Sequence, residues 1–278
     1  DDASLRAVYR SPGLAPAAIS SVVNAARERG LPVSGELGLF AQALADLKAQ
    51  RGYAPAVLAI TGTNGKTTVT ALTGQLVERA GLSVVVAGNI GPTLQETLHA
   101  YLRDDSLPQA CVRERPSIQL DGSDDFEPTA ATVLNVTQDH LDWHGDMAAY
   151  AAAKARIFGE RAVMVLNRND DAVMAMRPAA PAKLPKGAPR PTPRTVVTFG
   201  SDMPAEPGDF GIEVVGGMAW LVRAQEADET LRRRKDVEVE LHILRLMPAD
   251  ALRIRGRHNA VNALAALALA TSAGCQLG

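Results

Sequence analysis

Apolar and polar positions along this chain follow two periods that take turns. Val57–Ile60 is an unbroken apolar run, a glycine-rich stretch follows, and Thr67–Ala80 repeats apolar residues at helical spacing until Gly81. A short unbroken run suits a strand buried on both faces, and a 3.6-residue repeat suits a helix with one buried side. The alternation continues, with Ser83–Ala87 as strand, Thr93–Leu102 as helix, Ala131–Asn135 as strand, Met147–Phe158 as helix and Ala162–Leu166 as strand. Strands alternating with helices predict an α/β fold whose central, mostly parallel sheet carries helices on both faces.

Upstream, the pattern resembles the end of another α/β unit. Leu5–Tyr9 reads as a strand, Ser11-Pro12-Gly13 as a turn, and Ile19–Glu28 as a helix that stops at Gly30. Leu31–Val33 is a short strand, Leu39–Gln50 a helix, and Arg51–Pro55 a linker. This divides the chain into 1–52, part of a Rossmann-like domain, and 53–278, a second domain. Downstream, the proline-crowded 178–193 is predicted to be a surface loop. Thr195–Phe199, Ile212–Val215, Ala219–Val222 and Val237–Leu244 predict strands of a small antiparallel region, with Arg232–Lys235 as a solvated hairpin tip. Arg257–Ala273 reads as a closing Ala/Leu-rich helix, and no internal repeat is present.

Composition narrows the classes. With 278 residues, 46% hydrophobic and 22% charged, the chain is long enough for a substantial core and has a soluble globular make-up. A net charge of -2 gives no electrostatic reason to expect nucleic acid or an anionic membrane as partner. Aromatics are only 4%, so Ala, Val and Leu must fill the core. Cys111 and Cys275 have no metal-ligand or redox spacing, which suits a reducing cytoplasm. The apolar run Ala263–Ala270 is too short to span a bilayer, and no signal peptide is visible. A start at Asp1-Asp2-Ala3 predicts a sequence that begins inside a longer protein.

The chemistry concentrates in Gly62-Thr63-Asn64-Gly65-Lys66-Thr67-Thr68, which follows a strand and opens a helix. Glycines let the backbone turn its N–H groups towards phosphate oxygens, and the helix N-terminus adds a favourable dipole. Lys66 is placed to reach β- and γ-phosphates, and the Thr67 hydroxyl to meet Mg²⁺. Ile60 stands where the common phosphate loop has its first glycine, so this is a variant form.

That variant, Thr61–Thr67, is characteristic of the Mur ligases and their relatives, the folylpolyglutamate synthases. Ala87–Gly91, Asn135–Gly145, Ser11–Gly13, Gly35–Leu37 and Arg257–Asn259 with Asn262 extend the resemblance to the Mur ligase family nearly end to end. It implies a UDP-binding N-terminal part, an ATP-binding central domain, and a C-terminal ligase domain absent from the chain. It also implies an ATP-dependent carboxylate–amine ligase of peptidoglycan precursor synthesis, cytoplasmic and monomeric. Among the family's reactions, the segment Gln138–Gly145 favours the one that joins D-glutamate to UDP-N-acetylmuramoyl-L-alanine through an acyl phosphate, with two Mg²⁺ ions.

The resemblance also assigns residues. Lys66, His140 and Lys154 form the catalytic set, and Thr67, Glu114, His140 and Lys154 the metal side. Gly62–Thr68, Asn259 and Asn262 hold the nucleotide, and Asn89, Ser117 and His140 the muramoyl substrate. Several have plainer readings: His140 as part of a capped loop, Lys154 as a solvent-facing lysine, Asn89 as a turn residue and Asn259 as a helix cap. A buried lysine shifts its pKa readily, and a neutral amine can take up CO₂. The lysine in the family's Tyr-x3-Lys spacing, matched by Tyr150 and Lys154, is carbamylated in that way. His99, His144 and His242 read as surface or structural residues.

One segment departs from the family. Where the family has Glu-Leu-Ser-Ser-Phe-Gln-Leu, this chain has Glu114-Arg115-Pro116-Ser117-Ile118-Gln119-Leu120, preceded by Arg113 and followed by Asp124-Asp125. Two arginines in a buried strand each need a partner, and a proline removes a ladder donor. Either the strand ends early here or the substrate side is reshaped.

Overall fold

The computed structural model describes residues 4–11, 13–14, 16–87, 94–120, 126–139, 141–179, 193–227 and 240–277. Asn89, His140, Asp124-Asp125 and Arg232–Lys235 lie outside them. Strands β1 (Val8–Tyr9) and β2 (Val33–Ser34) pair in parallel around helix α1 (Pro16–Glu28). Helix α2 (Glu36–Arg51) follows. It ends at Gly52, whose φ of 69° lets the backbone N–H turn back to the Lys48 carbonyl.

The chain then builds one nine-stranded sheet. Its elements are β3 (Ala56–Thr61), α3 (Lys66–Arg79), β4 (Val84–Ala87), α4 (Leu94–Arg103), β5 (Ala110–Glu114), α5 (Ser117–Leu120), β6 (Ala130–Val133), α6 (Leu141–His144), α7 (Met147–Ala155), β7 (Val163–Asn167), α8 (Asp171–Met174), β8 (Val196–Phe199), β9 (Phe210–Val215), β10 (Met218–Glu226), β11 (Leu241–Pro248) and α9 (Arg257–Ser272). The strand order is β11-β10-β9-β8-β7-β6-β3-β5-β4. The strands from β4 to β8 in that order are parallel, whereas β9, β10 and β11 pair antiparallel. The segment around Thr195–Phe199, expected in the small antiparallel region, instead joins the parallel ladder through Met164↔Val196. The antiparallel strands are a continuation of the main sheet, attached through Phe199↔Phe210.

β3 shows why this sequence becomes a central strand. Leu58 and Ile60 enter the core on one face, and Val57 and Ala59 enter the core on the other. Side chains alternate along a strand, so an unbroken apolar run is what two covered faces require. α3 and α9 cover the first face; α2, α7 and α8 contribute to the second. α9 buries Ala260, Ala263, Leu264, Ala265, Ala266, Ala268, Leu269 and Ala270. Its alanines let it lie close to both α3 and the sheet, and a helix apolar nearly all round is an interior helix.

β5 settles the question raised by the altered segment. The strand stops at Glu114, and Pro116 lies beyond it, so the proline removes no ladder bond within the strand. Both arginines are nevertheless buried, each 4% exposed. The Arg113 guanidinium lies over the Phe40 ring at 5.3 Å. Arg115 Nη1 donates to Gln119 Oε1 at 2.8 Å and stands 3.9 Å from Glu36 Oε2. Among the described residues, Arg113 Nε and the Nε and Nη2 of Arg115 find no hydrogen-bond partner. Burial, reinforced by Arg113, pushes Arg115 down to about 10 against the opposing pull of Glu36. Burial likewise lowers Arg113.

Candidate active site

The glycine loop leaves the carboxyl end of β3, the middle of the parallel sheet, where ligands of such sheets collect. Gly65 caps α3 with φ of 85°. The left-handed backbone there favours glycine, and a Cβ would stand 2.8 Å from Asn262 Oδ1, so that side chain would have to shift. At Gly62 the crowding comes from Leu134, whose Cβ would lie 2.9 Å from any Cβ added to the glycine.

The loop is held from the next strand over. Asn135 Oδ1 accepts the backbone N–H of Thr63 at 2.9 Å and of Asn64 at 2.8 Å, while its Nδ2 donates to the Asn64 carbonyl at 3.1 Å. Thr63 Oγ1 donates to the Thr137 carbonyl at 3.1 Å and accepts the Thr137 N–H at 3.0 Å. One side-chain amide thus replaces the ladder bonds that a loop lacks. Lys66 Nζ donates to the Gly62 and Thr63 carbonyls, each at 3.0 Å, which places the ammonium inside the loop's curve.

Thr67 Oγ1 donates to Glu114 Oε2 at 2.9 Å, joining the start of α3 to the end of β5. Two hard oxygen donors beside a phosphate loop fit Mg²⁺, which takes one or two protein oxygens and completes its shell with phosphate and water. Among the described residues no group of three His, Cys, Asp or Glu side chains could hold a metal.

Lys154 is 1% exposed on α7, so it is not the solvent-facing lysine of the plainer reading. Its Nζ lies 4.4 Å from the centroid of the Tyr150 ring. Burial, reinforced by the Lys66 charge and opposed by Asp139, lowers the ammonium to about 7. Tyr150 in turn places its hydroxyl 3.3 Å from Thr63 Oγ1, tying α7 to the loop.

His144, read from sequence as a surface or structural residue, lies at the site. Its Nε2 is 3.0 Å from the Oγ of buried Ser117, and its ring packs on Tyr150 at 5.3 Å between centroids. Asn135 and Thr137 also escaped the sequence reading as loop supports. The sequence signal for them was slight: polar Asn135 and Thr137 flank buried Val136 directly after strand β6.

On the far side of the loop a cavity of about 330 Å³ is lined by Leu134, Asn135, Asn169, Ser201, Arg257 and Asn262, among others. Asn259 and Asn262 face one another, with Asn262 Nδ2 donating to Asn259 Oδ1 at 3.3 Å. Asn259 also donates to the Arg255 carbonyl at 2.7 Å, a bond to the turn before α9. Asn135 and Asn262, which touch the phosphate loop, also line this cavity, so the cavity lies directly beside the loop.

A strand–glycine loop–helix unit at the centre of a parallel sheet, with a lysine in the loop and a paired threonine and glutamate beside it, defines a phosphate-loop protein of the α/β class. Residues 60–270 match the family described as the Mur ligase middle domain, and the chain belongs to the Mur ligase family. It is 64% identical over 274 residues to the UDP-N-acetylmuramoylalanine–D-glutamate ligase of Albidiferax ferrireducens, covering 99% of this chain and 54% of that protein. It is 55% identical over 274 residues to the enzyme of that name from Cupriavidus pinatubonensis, covering 93% of this chain and 52% of that one. The chain therefore spans about half the length of these curated relatives. Among solved structures, a UDP-N-acetylmuramoyl-L-alanyl-D-glutamate–2,6-diaminopimelate ligase shares the fold at a TM-score of 0.59 and 22% identity, over 88% of this chain and 52% of that one.

Proposed function

We propose that this chain supplies the nucleotide-binding part of a ligase that joins D-glutamate to UDP-N-acetylmuramoyl-L-alanine at the expense of ATP. The observation that carries the reading is the gathering of Lys66, the Thr67–Glu114 pair and Lys154 about one phosphate loop, in a chain 64% identical to a relative named for that reaction. In this reading ATP phosphorylates the substrate carboxylate and the amine of D-glutamate displaces phosphate from the acyl phosphate.

The obstacle is repulsion between two anions, ATP and a carboxylate. Lys66 and the N–H groups of the loop hold the phosphates, and positioning supplies much of the remaining rate. Thr67 and Glu114 would hold Mg²⁺, which when bound neutralises phosphate charge. By resemblance, His140 is assigned to the metal and substrate roles, and Asn89 and Ser117 to substrate binding. Lys154 is buried and held near neutrality, the condition under which an amine takes up CO₂. We assign it as a carbamate in the active protein, serving as an added carboxylate for a second Mg²⁺. Residues 1–52 are assigned to the UDP-binding domain and 53–278 to the ATP-binding domain. The protein is placed in the cytoplasm, as a monomer. No helix among the described residues is long and apolar enough to cross a membrane.

A second reading, a nucleotide-binding module that no longer ligates, is favoured by the two buried arginines next to Glu114. Splicing this chain into the matching region of the Albidiferax relative separates the two. Release of phosphate that needs both the muramoyl substrate and D-glutamate is the expected result. Nucleotide binding without acceptor-dependent phosphate would sink the ligase reading. Lys66→Ala should remove nucleotide binding in either case.

A further inference from the structure

The cavity beside the loop has walls from four separate segments, and one side chain outside its lining ties two of them together. Arg168, just after β7, is 12% exposed at its side chain. Its Nη1 donates to Thr198 Oγ1 at 2.7 Å and to the Phe210 carbonyl at 2.9 Å. Its Nη2 reaches the turn after β8, meeting the Asp202 carbonyl at 3.3 Å, Asp202 Oδ1 at 3.2 Å and the Met203 carbonyl at 3.4 Å. Asp202 Oδ1 also accepts from Asn169 Nδ2 at 3.3 Å.

Those bonds run straight into the cavity wall. Asn169 Oδ1 accepts the Ser201 N–H at 2.6 Å, and the Ser201 carbonyl accepts from Arg257 Nη2 at 2.9 Å. Asn169, Ser201 and Arg257 all line the cavity. The planar guanidinium spans acceptors in two directions with fixed geometry, and a lysine ammonium cannot reproduce that fork.

We infer that Arg168 is a positioning residue for nucleotide recognition: it sets the Asn169–Ser201–Arg257 wall against which the nucleoside end of ATP packs. The inference rests on the nucleotide reading of the cavity and is independent of whether the protein ligates. A nucleoside requires that wall, whereas a bare triphosphate requires only the loop. Arg168 should therefore affect the first ligand and leave the second alone.

The test is calorimetric titration of this chain with Mg-ATP and, separately, with Mg-tripolyphosphate, which has the phosphates and no nucleoside. Arg168→Lys should weaken ATP about tenfold and leave tripolyphosphate within about twofold. Asp202→Ala, at a position 57% exposed at its side chain, should show the same selective loss to a smaller extent. Lys66→Ala should lose both ligands. Equal loss of both ligands in Arg168→Lys and Asp202→Ala would reduce Arg168 to general structural support, and unchanged ATP affinity would overturn the inference outright. If the unsubstituted chain binds neither ligand, the nucleotide reading itself falls, and the inference with it.

Discussion

Two buried charges, at Arg115 and Lys154, illustrate opposite uses of the same physics. The Arg115 guanidinium is enclosed, with two donors that find no partner among the described residues and a second guanidinium nearby. Burying charge without full pairing costs several kcal/mol, and replacing a whole buried ion pair by apolar residues is often stabilising. Arg115→Leu combined with Glu36→Leu should therefore raise stability by about 2 kcal/mol, read as a higher urea midpoint at unchanged slope. A lower midpoint would mean that the guanidinium is better satisfied than its contacts indicate. Lys154 sits near neutrality instead. Its folded pKa, about 7, lies below the ordinary 10.5, so between these values the unfolded chain binds the extra proton. Stability from this group thus rises with pH from about 7 to 10.5 and the gain is absent below about 7. Denaturation at pH 7 and pH 9 should show that rise, and Lys154→Met should flatten it. The neutral amine also predicts a ¹³C carbamate signal when the chain is equilibrated with labelled bicarbonate at pH 8, absent in Lys154→Met.

At the scale of elements, the phosphate loop depends on what lies beside it. Asn135 satisfies two loop N–H groups and one loop carbonyl at once. Asn135→Ala should cost about 1–3 kcal/mol in stability and weaken nucleotide binding at least tenfold, while the sheet ladder and far-UV dichroism stay as they are. An affinity unchanged by this substitution would show that the loop holds its shape from its own glycines. The loop and its strand–helix setting were legible in the sequence because they are local: Val57–Ile60, Gly62, Gly65 and Lys66 stand together. The loop's supports were not. Asn135, Tyr150 and His144 act through contacts that only the order of the parallel strands creates, and no periodicity encodes that order. The arginines at 113 and 115 show the reverse case. Their discomfort was visible in the sequence, but where β5 ends, and so whether Pro116 matters, required the sheet.

For the molecule as a whole, the sheet is the unit of cooperativity. β8 and β9 join through Phe199↔Phe210, yet α9 packs against strands on both sides of that seam, and Arg168 bonds across it to Thr198 and the Phe210 carbonyl. The antiparallel extension should unfold together with the parallel part. The chain's two tryptophans make this measurable, since Trp143 lies beside the site and Trp220 on β10. Single-tryptophan forms, Trp143→Phe and Trp220→Phe, should give coincident fluorescence and far-UV transitions once their own stabilities are allowed for; separated transitions within one form would mark two folding units. The sequence pattern gives a small antiparallel β region but leaves open how it attaches, because strand spacing cannot reveal that an antiparallel hairpin continues a parallel sheet.

The amide of Asn135 lies 72 residues downstream of the Thr63 N–H it shapes, and Asn262, packed on Gly65, lies much later still. On a ribosome adding 5–20 residues per second, the loop waits roughly 4–14 s for the first of these partners. On the nucleotide reading proposed above, ATP has no formed cradle to bind during that interval. During synthesis the nucleotide then enters as a late clamp on a sheet largely assembled.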